Sequence, residues 1–396
     1  MRQLTEVDRA LRQATDARKV AGVVAMAATD KEIIYQGAFG KRELGKAEAM
    51  TVDSVFWIAS MTKAITATAA MQLVEQGKLK LDDPIGKLLP DLAAPQVLEG
   101  FDAAGAPKLR PAKGGPITLR RLLTHTAGFC YDIWNARMAQ HMQQAGIPGI
   151  VSCENKALTT PLANDPGSRW EYGINIDFVG KAVEAASGKR LDAYLKDHVF
   201  NPLGMADTGF KLGAAQRARL VSMHARGEDG ALAVFPFELV QEPEFHMGGG
   251  GLYGTAPDYI RFIRMLLNGG SLDGNRVLKA ETVAMMGQNH IGDLNVTKLP
   301  TAMPPFSNDV ELYPEQDKKW GLSFLINTKR TAEGRSPGSL AWAGLANTYF
   351  WLDPARKIGG VILMQLLPFA DKEALALFAA LERGVYQSLD GTEAAA

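Results

Sequence analysis

Cysteine is nearly absent from this chain: among 396 residues only Cys130 and Cys153 are present. Two thiols so placed build no disulfide framework, match no zinc or redox spacing, and read as isolated buried thiols. An excess of charge is missing as well, with 43 Lys and Arg against 43 Asp and Glu. That balance removes the electrostatic case for nucleic acid or an anionic membrane as partner. No run of roughly 18 apolar residues exists, and the start, MRQLTEVDRA, carries charges where a signal peptide would be apolar. A cytoplasmic, soluble protein without a membrane partner is the expectation. Repeats at solenoid or propeller periods are absent too. The length is enough for a large core and for two or three domains.

What is present is one organising stretch, Val55-Phe-Trp-Ile-Ala-Ser60-Met-Thr-Lys63, running on to Gly77. An apolar, β-branched and aromatic run gives way at Ser60 to a segment free of Gly and Pro, so the spacing predicts a helix that begins near Ser60 and stops at Gly77. Residues three apart on a helix share a face, which makes Ser60 and Lys63 neighbours. An amine beside a hydroxyl can take its proton, and a helix N-terminus stabilises negative charge developing there. Ile65, Ala69, Met71, Leu73 and Val74 give that helix an apolar surface, so Lys63 is expected to be buried and its charge disfavoured.

Around this stretch the chain reads as follows. A first helix capped by Thr5 or Asp8 precedes two β-rich segments, Val20–Ala28 and Glu32–Gly40, joined in a hairpin at Thr29-Asp-Lys. A polar middle rich in Gly and Pro holds helices at Thr118–His125, Phe178–Gly188, Leu191–Val199 and Pro257–Asn268. Strands return at Trp320–Thr328, Leu340–Leu352 and Lys357–Leu367, and a helix at Lys372–Leu389 precedes a tail, Gly391–Ala396, expected to fray. The predicted class is α/β of the α+β type, an antiparallel sheet flanked by helices with a mainly helical inserted domain. Residues 1–78 and 312–396 would form the sheet domain and 79–311 the helical one.

Two further stretches can complete a site. Tyr172, in Glu171-Tyr-Gly173, sits on a loop before a helix, and a neighbouring ammonium would lower its phenol from about 10 toward a value useful for a base. Ala341-Trp342-Ala343-Gly344-Leu345 lies in a strand where Gly344 permits close approach of the backbone to a substrate. Each has a plainer reading: Tyr172 as a half-buried loop tyrosine, Trp342 as a strand tryptophan packed in the core. His125 reads as a structural hydrogen bonder at a helix end. Gly334-Arg-Ser336-Pro-Gly338 matches G-x-S-x-G, but a nucleophile elbow needs a helix straight after its Ser, and Pro337 and Gly338 follow instead. All six His precede Ser336, so it is set aside.

The order Ser60-x-x-Lys63, Tyr172, Trp342-Ala-Gly344 resembles the serine β-lactamase and penicillin-binding protein superfamily. More narrowly it is similar to family VIII carboxylesterases, relatives of class C β-lactamases. Leu122-Leu-Thr-His-Thr-Ala-Gly-Phe129 and Gly248-Gly-Gly-Gly-Leu-Tyr-Gly-Thr-Ala-Pro-Asp-Tyr-Ile-Arg-Phe262 extend the resemblance over nearly the whole chain. It implies an acyl-enzyme on Ser60, with Lys63 and Tyr172 moving protons and the amides of Ser60 and Leu345 holding the oxyanion. Substrate contacts would come from Trp342, Ala343 and Gly344, and from Tyr131, where some relatives carry an aromatic and which reads equally as a plain loop residue. Neither metal nor cofactor is implied.

Two departures stand out. The second motif reads Tyr172-Gly-Ile174, with Asn175 one position late, and Trp342 stands where lactamases carry Lys. Losing that ammonium removes a charge-assisted bond worth roughly 1.5–3 kcal/mol to a substrate carboxylate. The expected function is therefore a carboxylesterase of small-molecule, short-chain acyl esters with at most weak β-lactam hydrolysis. A class C-like β-lactamase, a D-amino-acid peptidase, an acyltransferase to a specific alcohol and a penicillin-binding sensor without turnover remain alternatives.

Overall fold

The structure is a computed structural model that describes residues 4–393. Both ends of the chain build one seven-stranded antiparallel sheet. Its strands are β1 (Gly22–Thr29), β2 (Ile33–Gly40), β3 (Lys318–Trp320), β4 (Leu325–Asn327), β5 (Leu340–Gly344), β6 (Thr348–Asp353) and β7 (Ile358–Leu363). The spatial order is β3-β4-β5-β6-β7-β1-β2. The hairpin at Thr29-Asp-Lys forms as expected, the Thr29 hydroxyl accepting from the amides of Lys31 and Glu32.

Side chains alternate across a strand, and β6 shows what each face meets. Phe350 packs on Tyr259 of α5 (Ala256–Leu267), whereas its neighbour Trp351 packs on Phe378 of α6 (Lys372–Glu393). The sheet is thus covered on both sides. Helix α1 (Thr5–Asp16) lies beside α6, burying Val7, Leu11 and Ala14. Its N-cap is Leu4, with no side-chain cap bond from Thr5 or Asp8. Asp8 instead accepts from the Tyr35 hydroxyl at 2.8 Å, which ties α1 to β2.

The middle of the chain carries α3 (Leu119–Leu123) and α4 (Asn175–Ser187), and helix α2 (Thr62–Glu75), which follows Ser60, packs against α4. Helix α2 is buried almost throughout, and Gly77, two residues past its end, turns the chain with φ 69°. Thr118 caps α3 by accepting from the Arg121 amide. The region also holds an antiparallel hairpin of 96–101 with 107–111 that the helix pattern did not announce.

Several expected elements come out differently. The expected strand Trp320–Thr328 is divided: Trp320 ends β3, residues 321–324 turn the chain with Ser323 at φ 78°, and Leu325–Asn327 form β4. Leu340–Leu352 is two strands, because Asn347 at φ 58° turns the chain after Gly344. The Asn347 amide donates to the carbonyls of Leu366 and Pro368, so that turn is fixed from outside. Strand β7 stops at Leu363, and Leu366–Leu367 pair in parallel with His224–Ala225. The last helix runs on to Glu393 rather than ending at Leu389. Of the tail expected to fray, residues 394–396 lie outside the described residues.

Candidate active site

The short strand Phe56–Trp57 pairs with Tyr253–Gly254 and delivers the chain to a single tight turn, Ala59–Met61, at the head of α2. Ala59 takes φ 46°, a left-handed conformation that costs a non-glycine residue roughly 1–2 kcal/mol. Packing holds the strain. The Met61 carbonyl accepts from the Tyr259 hydroxyl at 3.0 Å, and the Ile58 carbonyl from the Thr348 hydroxyl at 3.3 Å. A Cβ on Gly344 would lie 2.4 Å from that Ile58 carbonyl and 2.2 Å from Thr348 Oγ1. Gly344 therefore brings the end of β5 against the turn that carries Ser60.

Lys63 and Ser60 meet as the helical spacing demands, with Nζ 3.0 Å from Oγ. The same Nζ is 2.9 Å from the Tyr131 hydroxyl and donates to the Gly249 carbonyl at 2.6 Å. Lys63 is fully buried, and that burial pulls its amine down to about 7 against the opposing charge of Asp177. A neutral amine has two hydrogens and one lone pair. With the hydrogens on Tyr131 and Gly249, the lone pair faces Ser60.

Tyr172 reaches the same point from the other side. Its hydroxyl interacts with that of Ser60 and accepts from Trp342 Nε1 at 2.9 Å. The expectation of an acidified phenol is overturned. Burial raises Tyr172 above the ordinary tyrosine range, and the bonds from Ser60 and Trp342 offset this only in part. Lys63 does not compensate, because its Nζ sits 4.8 Å from the centre of the Tyr172 ring instead of beside the hydroxyl. Tyr172 is held in place by its backbone. A Cβ on Gly173 would lie 2.4 Å from Cys130 Cα, so only glycine lets this loop lie against Phe129–Tyr131. His125 Nδ1 faces the Gly173 amide at 3.4 Å and the Asn175 side chain at 3.0 Å. Burial keeps that imidazole neutral, in agreement with a structural part for it. Asn175 is thereby turned away from Ser60.

Trp342 was expected to touch substrate, and the structure packs it in the core. It is 6% exposed and packs edge-on against Trp320 at 4.6 Å and Tyr172 at 4.9 Å. Neither it nor Ala343 nor Gly344 lines the cavity on which Ser60 opens. This packing fits the plainer reading of a strand tryptophan, with the addition of its bond to Tyr172. Trp342→Lys should therefore bury an ammonium among aromatic rings and lower the melting temperature by at least several degrees, without a gain in β-lactam turnover. Trp342→Phe should keep the packing and reduce kcat by about tenfold through the lost indole bond. Unchanged stability in the Lys variant, followed by thermal melts, would show that the indole site is open to solvent.

The cavity itself measures about 240 Å³. Ser60, Tyr131 and Leu345 form its floor, and its walls are Trp57, Trp134, Phe235, Phe237, Met223, Met247 and Met303, with no Lys, Arg or His. Trp57 is fixed by its indole bond to the Gly250 carbonyl at 2.7 Å and by the Gln365 side chain at its backbone. Much of this wall comes from residues 223–247, a stretch without periodic pattern that sequence reasoning passed over. Asp177 was missed as well. Fully buried, it accepts from the Gly249 amide at 2.9 Å and so fixes the carbonyl that holds Lys63. An acid in the first turn of a helix is so ordinary that no local signal marks it. No group of side chains among the described residues could hold a metal ion, and no helix among them is long and apolar enough to cross a membrane.

Comparison with known proteins places these observations. The family model described as beta-lactamase matches residues 7–383. A curated relative named acyltransferase mokF, from Monascus pilosus, is 38% identical over 72% of this chain and 71% of its own. Another, named lovastatin esterase, from Penicillium rubens, is 31% identical over 93% of this chain and 95% of its own. Among solved structures, a mutant of simvastatin synthase from Aspergillus terreus superposes with a TM-score of 0.84 at 30% identity, covering 97% of each chain.

Proposed function

The chain belongs to the beta-lactamase family, with the fold of β-lactamases and penicillin-binding proteins and the chemistry of serine acyl-enzyme hydrolases and transferases, and from that premise we propose a carboxylesterase of the family VIII kind. Its substrates are small, short-chain acyl esters that carry no carboxylate, and its acyl-enzyme on Ser60 passes the acyl group to water or to an apolar alcohol. One observation carries the reading: the Ser60 hydroxyl, beside Lys63 and Tyr172, opens on an apolar cavity whose wall holds no cation. A substrate carboxylate would enter it without a partner, which costs several kcal/mol more than an ester does.

In the proposed sequence neutral Lys63 takes the Ser60 proton as Oγ attacks the ester carbonyl. The amides of Ser60 and Leu345 face the developing oxyanion. Collapse expels the alkoxide, which takes the proton of Tyr172, a phenol kept protonated by burial. The phenolate so formed is stabilised by the Trp342 indole hydrogen. An incoming alcohol or water gives its proton to that phenolate and attacks the acyl-enzyme. Ser60 leaves and recovers its proton from Lys63, so each proton is returned.

The names of two relatives, an acyltransferase and an esterase, and the apolar wall favour transfer as a second outcome of the same intermediate, because an apolar alcohol is better solvated there than water. Purified protein should hydrolyse p-nitrophenyl butyrate and, with millimolar 1-hexanol added, form hexyl butyrate detectable by gas chromatography. Nitrocefin, a carboxylate, should turn over at least about a hundredfold more slowly. Nitrocefin as the better substrate would overturn the proposal.

A further inference from the structure

The cavity in front of Ser60 contains a negative charge without its counterpart. Asp132 is the only acid on its wall, and no base lines it. The Asp132 carboxylate is directed along that wall, since its Oδ2 is 4.0 Å from where a Cβ of Gly149 would stand, and Gly149 lines the same cavity. Its own amide and that of Ile133 bond to it at the start of the turn Asp132–Trp134. These two bonds fix its position. They do not offset burial, which raises its pKa, and no cation is among the groups acting on it. Aromatic rings line the same cavity: Tyr131 meets Trp134 edge-on at 5.9 Å, and Trp57 meets Phe237 at 4.7 Å. A carboxylate short of a counter-ion and several aromatic faces are the two features that bind an ammonium group in a water-poor site.

We propose that Asp132 makes this cavity selective for ester substrates carrying an ammonium group, with the aromatic rings Trp57, Trp134 and Phe237 completing its recognition. The inference rests on the ester reading above and deepens it. Neutral esters enter on apolar contact alone, ammonium-bearing esters gain the carboxylate and the rings, and carboxylate-bearing esters are repelled. In the free protein, the desolvation cost falls on Asp132, and a bound ammonium ion removes it. Asp132 is a specificity residue with no part in moving the protons of the reaction.

Two matched pairs of substrates test this, one for each half of the ester. Butyrylcholine is compared with 3,3-dimethylbutyl butyrate, which has carbon in place of the charged nitrogen. Likewise, p-nitrophenyl 4-(trimethylammonio)butyrate is compared with p-nitrophenyl 5,5-dimethylhexanoate. At pH 8 and low salt, kcat/KM should favour the cationic member of at least one pair by roughly tenfold, and added salt should reduce the ratio. In Asp132→Asn the ratio should fall to within about twofold of unity. Asp132→Ser, which can still bond to the turn's amides, serves as a second variant should the Asn protein fold poorly. A wild-type ratio at or below one in both pairs overturns the proposal, as does a preference that survives both substitutions. Wild-type turnover of p-nitrophenyl butyrate separates the two levels: its absence would sink the esterase reading, whereas its presence with flat ratios sinks only the selectivity.

Discussion

Ser60→Ala is expected to remove ester turnover by a factor on the order of 10⁴ to 10⁶, the scale on which nucleophile deletions fall in enzymes that form acyl intermediates. Oγ is the atom on which Lys63 Nζ, at 3.0 Å, and the Tyr172 hydroxyl converge, so no nearby group can stand in for it. Folding should be little affected, because Ser60 sits in a turn held by Tyr259, Thr348 and Gly344 rather than by its own side chain. The control is Ser336→Ala. Ser336 lies in the turn after Arg335, its amide bonded to Asp353 and its carbonyl accepting from Asn327 and Ser339. That variant should keep activity within about threefold. Initial rates with p-nitrophenyl butyrate, and a mass increase of one butyryl group on wild type but not on Ser60→Ala, check the assignment. Retained turnover in Ser60→Ala would dismiss both the nucleophile and the mechanism.

What the sequence reveals about this site divides along a physical line. The Ser60–Lys63 pair was readable because helical geometry is local: three residues of spacing decide it, and no tertiary contact can undo it. The rejection of Ser336 rested in part on equally local grounds, the Pro and Gly that follow it, and otherwise on the order of the His residues along the chain. The hairpin of β1 and β2 was legible for the same local reason. Trp342 was not. Whether a strand residue faces a cavity or the core depends on register and on what covers each face, and Trp342 sits opposite Phe350 on the face occupied by Trp320 and Tyr172. The phenol of Tyr172 failed in another way. An ammonium lowers a phenol only when it stands near the oxygen, but Lys63 stands over the ring, and desolvation, which no spacing reveals, decides the direction. Asp177 illustrates the remainder: its burial depends on the Gly248–Gly251 segment passing between α2 and α4, a contact between residues 72 positions apart.

The strongest effect after loss of the nucleophile should come from Lys63→Met, with kcat/KM reduced by about 10³-fold, within the range of general-base contributions. Methionine fills much of the buried space without a charge, so the loss reports proton transfer more than packing. The pH profile gives a more specific test. In wild type the active form has Lys63 neutral, and burial brings its amine down to about 7. Raising the pH through that value removes the proton and raises the rate toward a plateau, while at one unit below it only roughly a tenth of the sites are active. Tyr172 and Tyr131 are both pushed up by burial, so neither loses its proton across this window and neither can produce the limb. His125 is held neutral throughout by burial and by Lys63 itself. Asp177 is the remaining charge acting on the amine, and it favours the ammonium form. Asp177→Asn should consequently move the acid limb to lower pH, because without that carboxylate the amine gives up its proton more readily. Tyr172→Phe should lose rate at every pH but keep the limb where it is. A limb that stays near pH 7 in Lys63→Met, or that moves upward in Asp177→Asn, would mean that a group other than Lys63 takes the proton from Ser60.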